Sequence, residues 1–176
     1  MTLIEMIVSM LVLGLSFAIY VSTAVAVRRQ SVSVQDLSIA SDACQRVVET
    51  LRSEPFDELV RRYGVDPDDD PNGAGSAPGA TFAVDGLHPA DDDPDGIVGE
   101  VVLPELEVQT GVFALREDLQ RPELGLPRDL NGDSIIDGID HAADYLQLPV
   151  CVRVRWQGQS GPCSYQLDAL LVPYRK

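Results

Sequence analysis

Apolar positions are crowded at the start of the chain. From Met6 to Val27 no residue is charged, and Arg28-Arg29 close the run. About 20 apolar residues suffice for a helix to cross a bilayer. Ser9, Ser16, Ser22 and Thr23 are compatible with that, because their hydroxyls can bond back to helix carbonyls. A cleaved secretion signal has a shorter apolar region with basic residues before it, and neither feature is found here. Beyond Arg29 the pattern changes period without a break. Leu37, Ala40, Cys44, Val47 or Val48, and Leu51 recur at spacings of three and four, and no Pro or Gly interrupts them. This is an amphipathic helix with one apolar stripe. A continuous helix to Ser53 is about 80 Å long at 1.5 Å per residue.

Downstream the period shortens. Ser53, Pro55 and Gly64 bracket a short second helix as cap, first-turn residue and stop. Thr81–Val84 is a short apolar run, and Ile97–Leu103 and Val112–Leu115 read as short strands, between Pro-, Gly- and Asp-rich loops. Val150, Val152, Val154 and Trp156 alternate with polar positions, Gly158–Pro162 turns the chain, and Cys163, Tyr165, Leu167, Ala169 and Leu171 alternate again. A symmetric register pairs Trp156 with Cys163, Val154 with Tyr165 and Val152 with Leu167, all on one face. The predicted fold is α+β: a long N-terminal helix whose second half packs on a small antiparallel sheet. The predicted divisions are 1–28 (apolar half), 29–53 (amphipathic half) and 54–176 (head), with the hairpin over 150–172.

Composition narrows the function. The chain carries 28 acidic and 13 basic side chains and a formal charge of −15. Phosphate backbones need a basic patch, so nucleic acid is excluded as the expected partner. No phosphate cradle or nucleophile elbow is present. His88 sits in a Pro/Asp loop and His141 reads as a surface residue, so no enzyme is expected.

Glu5 is the unusual residue at the membrane end. A carboxylate just inside an uncharged membrane helix needs a partner. The amino group at Met1 is one helical turn away, and that of a neighbouring chain is an equal candidate. Thr2-Leu3-Ile4-Glu5-Met6, followed by the long apolar helix, resembles the opening of the type IV pilin superfamily. The resemblance covers roughly the first third of the chain, with Met1 in place of the commoner phenylalanine. It implies that a prepilin peptidase cuts before Met1 and that the new N-terminus is methylated; the missing basic leader fits numbering from that cut. It implies further that assembly machinery draws the subunit from the inner membrane into an extracellular helical filament of identical copies. Melting of the helix between Gly14 and Thr23 is what family filaments suggest. A minor pilin or a type II secretion pseudopilin fits the same residues. A monomeric, membrane-anchored calcium-binding domain is the alternative of another class.

Calcium enters through residues 129–140. With Asp129 as position one, oxygen ligands fall at Asp129, Asn131, Asp133, Asp137 and Asp140, and Ile135 offers its carbonyl at position seven. That is the EF-hand spacing, and the aspartate at position twelve resembles dockerin loops. Ser134 replaces the usual glycine at position six, which strains the turn. Ile136 is expected to point inward, and the segment from His141 to Leu148 to form a short helix. Asp91, Asp93 and Asp95 repeat half the pattern; a solvated turn is expected there, with a second calcium as the alternative, and solvation likewise for Asp66 to Asp70.

Three cysteines allow one bridge. In the symmetric hairpin Cys163 and Cys151 lie on opposite faces, several residues apart. Cys163 faces the core and Cys44 lies on the helix stripe, which favours Cys44–Cys163 and leaves Cys151 free and partly exposed. A bulge near Gly158 would instead favour Cys151–Cys163, and no bridge at all is the third alternative.

Overall fold

The computed structural model describes residues 2–91, 93 and 95–173. Its first element is a single helix, α1, over Leu3–Ser53. Ser9, Ser16 and Thr23 donate to carbonyls four residues back and Ser22 to one three back, as expected for hydroxyls in an apolar helix. The helix runs unbroken through Gly14. Its two halves differ sharply. Leu3 to Val27 are exposed on every side, whereas Ala40, Ala43, Cys44, Val48 and Leu51 are buried. The expected stripe therefore exists, but Leu37 lies beyond the head and is 46% exposed.

Glu54 and Pro55 end α1. Residues Phe56–Glu58 form a 3-10 turn that leads into α2, Leu59–Tyr63. Gly64 follows because a side chain there would collide with the Val60 carbonyl and the Glu105 carboxylate. Among the described residues six strands come next: β1 Thr81–Phe82, β2 Gly99–Val102, β3 Glu105–Gln109, β4 Val112–Leu115, β5 Leu148–Gly158 and β6 Gly161–Leu171. They make an antiparallel four-stranded sheet in the order β1-β2-β5-β6 and a separate β3–β4 hairpin. β5 and β6 have the register the alternation predicts: Trp156 with Cys163, Val154 with Tyr165, Val152 with Leu167. α1 packs on the face they share, where Ser41 meets the Tyr165 hydroxyl at 3.4 Å. The fold class is α+β as predicted.

The cysteines correct the sequence reading. All three are free thiols. Cys44 donates to the Val152 carbonyl at 3.6 Å. Cys163 lies opposite Trp156, four residues further along β5. At about 3.3 Å per residue that is roughly 13 Å, about twice the Cα separation a bridge tolerates. Cys151 is fully buried on the far face of the sheet, not partly exposed. There the Pro122–Leu124 turn contacts β5, and Leu124 and Leu126 join the core. Burial pushes the Cys44 thiol up to about 11 and the Cys151 thiol to about 12, so neither is a ready nucleophile.

Glu105 couples the head to pH. It opens β3 and accepts the Val65 amide at 3.1 Å. Burial, opposed by that hydrogen bond and aided by Asp69 and Asp66, pushes its carboxyl from 4.5 up to about 7, with Arg121 pulling the other way. The folded state thus holds this proton more tightly than the unfolded state. Its stabilising contribution is full below pH 4.5 and is lost as pH rises to about 7. Glu105→Gln is expected to raise stability at pH 8 by roughly 2–3 kcal/mol and to flatten the pH profile between those values. Denaturant melts at pH 5 and pH 8 check this; an unchanged profile contradicts it.

Candidate functional site

Two regions carry chemistry: the bare half of α1 and the acidic loop of the head. In α1, Glu5 reaches back to the Thr2 amide at 3.4 Å. The carboxylate therefore has a local backbone partner that sequence reasoning overlooked. Thr2, followed three residues later by Glu5, is the sequence signal for it. Met1, the other assembly residue predicted, lies outside the described residues.

Loop 129–140 is built by its own aspartates. Asp129 accepts the amides of Gly132 at 2.5 Å and Ser134 at 2.7 Å. Desolvation works to raise the pKa of Asp129, but backbone amides, those of Gly132 and Ser134 foremost, hold it below the usual carboxylate range. Asn131 accepts the Asp133 amide, Asp133 that of Ile135, and Asp137 that of Ile139. Ser134 does adopt the left-handed conformation expected at position six, with φ 68°. Asp140 turns toward the sheet hairpin, where one oxygen takes the amides of Leu115 and Ala142.

Several expectations fail here. Ile136 does not point inward; it is half exposed, as are Ile135 and Ile139. The segment after the loop is one turn closed on the His141 carbonyl, not a helix. Tyr145 anchors that turn, stacking obliquely on Phe56 with ring centroids 4.8 Å apart and donating its hydroxyl to the Phe56 carbonyl. His141 is not a surface residue but is 4% exposed. The Asp95 carboxylate holds the Ile97 amide, and Asp66 and Asp70 hold the amides of Asp68 and Ala77, so these acidic loops are tied by local turns. Asp92 and Pro94 lie outside the described residues.

Among the described residues, the metal-ligating atoms that come within 4.8 Å of one another are those of Glu117, Asp137 and His141. Asp137 is the one predicted ligand in that group; Asp129, Asp133 and Asp140 stand outside it. Glu117 is fully buried just beyond β4. One of its oxygens accepts the Leu130 amide at 2.5 Å and the Asn131 amide at 3.3 Å, which fixes the start of the loop. The His141 amide donates to the Leu115 carbonyl, so the loop's exit lies beside β4 and brings the imidazole next to Glu117. Burial disfavours a charged imidazole, yet hydrogen bonds to Asp137 and Asp144 and the charge of Glu117 raise the His141 pKa above 6.5. The pattern does contain a signal for Glu117: Leu115, Glu117 and Leu119 alternate in one phase, so the carboxylate follows an inward-facing leucine.

Compared with known proteins, the chain matches no family model, and no curated protein or solved structure matches it significantly. The helix is long and apolar enough to cross a membrane, and none of its most apolar stretch is buried by the head.

Proposed function

We propose that this chain is a structural subunit of a type IV pilus-like filament, held in the inner membrane before assembly and polymerised through α1 by the pilus machinery after leader-peptidase cleavage. The observation that carries this reading is the extent of bare helix. A membrane anchor accounts for the uncharged run ending at Val27. It does not account for Val34 and Leu37, which lie past Arg28-Arg29 on a rigid helix and are 61% and 46% exposed. Full burial by the head begins only at Ala40; before it Val32, Asp36 and Ile39 are half-buried. Packing against other copies covers both stretches with one surface. Minor pilins and pseudopilins use the same helix, so those roles belong to the same proposal.

Glu5 supplies register in this account. In a greasy bundle its charge meets the N-terminal amine of the next subunit, and an unpaired charge there is strongly unfavourable. The Thr2 contact makes the test sharper. Glu5→Gln keeps a side-chain oxygen for the Thr2 amide and removes only the charge. It is expected to leave the chain folded and membrane-resident while cutting filament yield at least about tenfold. Normal yield from Glu5→Gln would sink the charge-pairing model.

Calcium in loop 129–140 is the second part of the proposal. The EF-hand spacing supports it, as does an Asp129 carboxylate already drawn into the loop by two amides. Asp133, Asp137 and Asp140 each bind backbone amides through one oxygen, leaving the other for an ion. Calcium at 100-fold excess over Kd adds roughly 2.7 kcal/mol to a site that only the folded state offers. Added Ca2+ should therefore raise the melting temperature of the chelator-treated chain, and Asp129→Ala should abolish the rise. A melting curve indifferent to Ca2+ rules this part out.

A further inference from the structure

We infer that Glu117, Asp137 and His141 form a nitrogen-containing site for a borderline divalent cation of the zinc class, sharing only Asp137 with the calcium pattern of the loop. The inference is independent of the filament reading. Three ligand atoms, Glu117 Oε2, Asp137 Oδ1 and His141 Nε2, converge within 4.8 Å of one another. His141 Nδ1 lies 3.1 Å from an Asp144 oxygen, which fixes that nitrogen as the protonated one. In the neutral imidazole Nε2 is then the nitrogen open to a metal, 3.3 Å from Asp137 Oδ1 and 3.8 Å from Glu117 Oε2; in the protonated ring it donates to Asp137 instead. Glu117 Oε2 is buried and has no hydrogen-bond partner. Such an oxygen is costly to bury alone, and a cation beside it satisfies it; Asp137 Oδ1 already accepts the Ile139 amide and has a second lone pair for the ion.

The spacing selects the ion. Zinc binds nitrogen and oxygen at about 2.0–2.2 Å, which puts tetrahedral ligands about 3.3–3.5 Å apart. The two distances from Nε2 bracket that value within small side-chain movements. Calcium takes oxygen ligands, six to eight of them at about 2.3–2.6 Å, whereas imidazole suits zinc and its neighbours. The outer contacts are those of a metal site. Asp144 orients the imidazole and is itself held by the Asn131 amide group at 3.3 Å. Glu117 is clamped through its other oxygen by the Leu130 and Asn131 amides. The fourth position, on the half-exposed Asp137 side, is left for water. A proton on Nε2 is the competing occupant, and it is an outcome of the test.

The full chain in detergent, stripped with chelator and dialysed, is titrated with Zn2+ alone and with Co2+ as a spectroscopic probe. The expected result is one Zn2+ per chain, retained against a large excess of Ca2+, and visible Co2+ absorption of tetrahedral intensity. Glu117→Gln and His141→Gln should each weaken binding at least about tenfold, and Asp144→Asn about tenfold. Asp129→Ala, which disables only the calcium pattern, should leave Zn2+ affinity within about twofold. Stoichiometric uptake that Asp129→Ala abolishes and Glu117→Gln spares would overturn the site. So would no uptake at all, which assigns the cation to a proton. Should the variants fail to fold, the unaltered chain still decides: it has two histidines, and Zn2+ must shift the His141 Nε2 resonance and leave His88 in place. Loss of the Ca2+ effect alone bears on the loop and not on this site.

Discussion

A chain lacking residues 1–28 is expected to be a folded, monomeric protein that needs no detergent, with a stability within about 1 kcal/mol of the full chain's head. The reason is where burial starts. Every residue from Thr2 to Ser31 is exposed, and the helix contributes to the core only through Ala40, Ala43, Cys44, Val48 and Leu51. Surface residues that touch nothing contribute within about ±0.5 kcal/mol each. The removed stretch carries the apolar surface that has to be covered by lipid or by other copies, so solubility and association should change while melting does not. Sedimentation velocity and a thermal melt of both chains test this. A truncated head that aggregates or melts far lower would mean that the bare half of α1 supports the fold.

Leu51→Ala should have the largest effect on stability of any single truncation in α1. Leu51 is 1% exposed and sits in the last turn, in the buried core cluster that also holds Leu59 and Leu171. Removing a buried leucine costs about 3–5 kcal/mol when the cavity cannot collapse. For a domain of this size each kcal/mol shifts Tm by about 2–4 °C, so the expected drop is roughly 6–20 °C. Leu15→Ala, in the bare half, should leave the melt unchanged. Equal effects from the two would contradict the division of α1 into a packed and an unpacked half.

The parts of the fold legible in the sequence are those with a long, clean period. Alternation over Val150–Leu171 gave the face and the register of β5 and β6 together, because a one-residue slip would bury Arg153 and Arg155. The 3.6-residue stripe from Ala40 to Leu51 gave the packed face of α1. What period cannot give is height along an axis. The alternation places Cys44 and Cys163 on facing surfaces but not at the same level, and the level is set by how far α1 slides along β5. β3 is not legible for another reason: Leu106 and Val108 alternate with Glu105, Glu107 and Gln109, but the run is only five residues long and its apolar positions stay exposed. In the head, loop spacing identified Asp137 but not Glu117 and His141, since their meeting depends on β4 lying beside the loop's exit. His141 read as polar surface because nothing local marks an imidazole whose partners lie on another segment.

The account stands on the claim that copies of this chain associate through α1. Negative-stain microscopy of material sheared from producing cells, labelled with antibody against the head, tests it most directly. The account predicts thin filaments decorated by the antibody, along their length for a major subunit or at the tip for a minor one, and far fewer from Glu5→Gln cells. Head antigen confined to the membrane fraction, with no labelled filament in the sheared material, would contradict it.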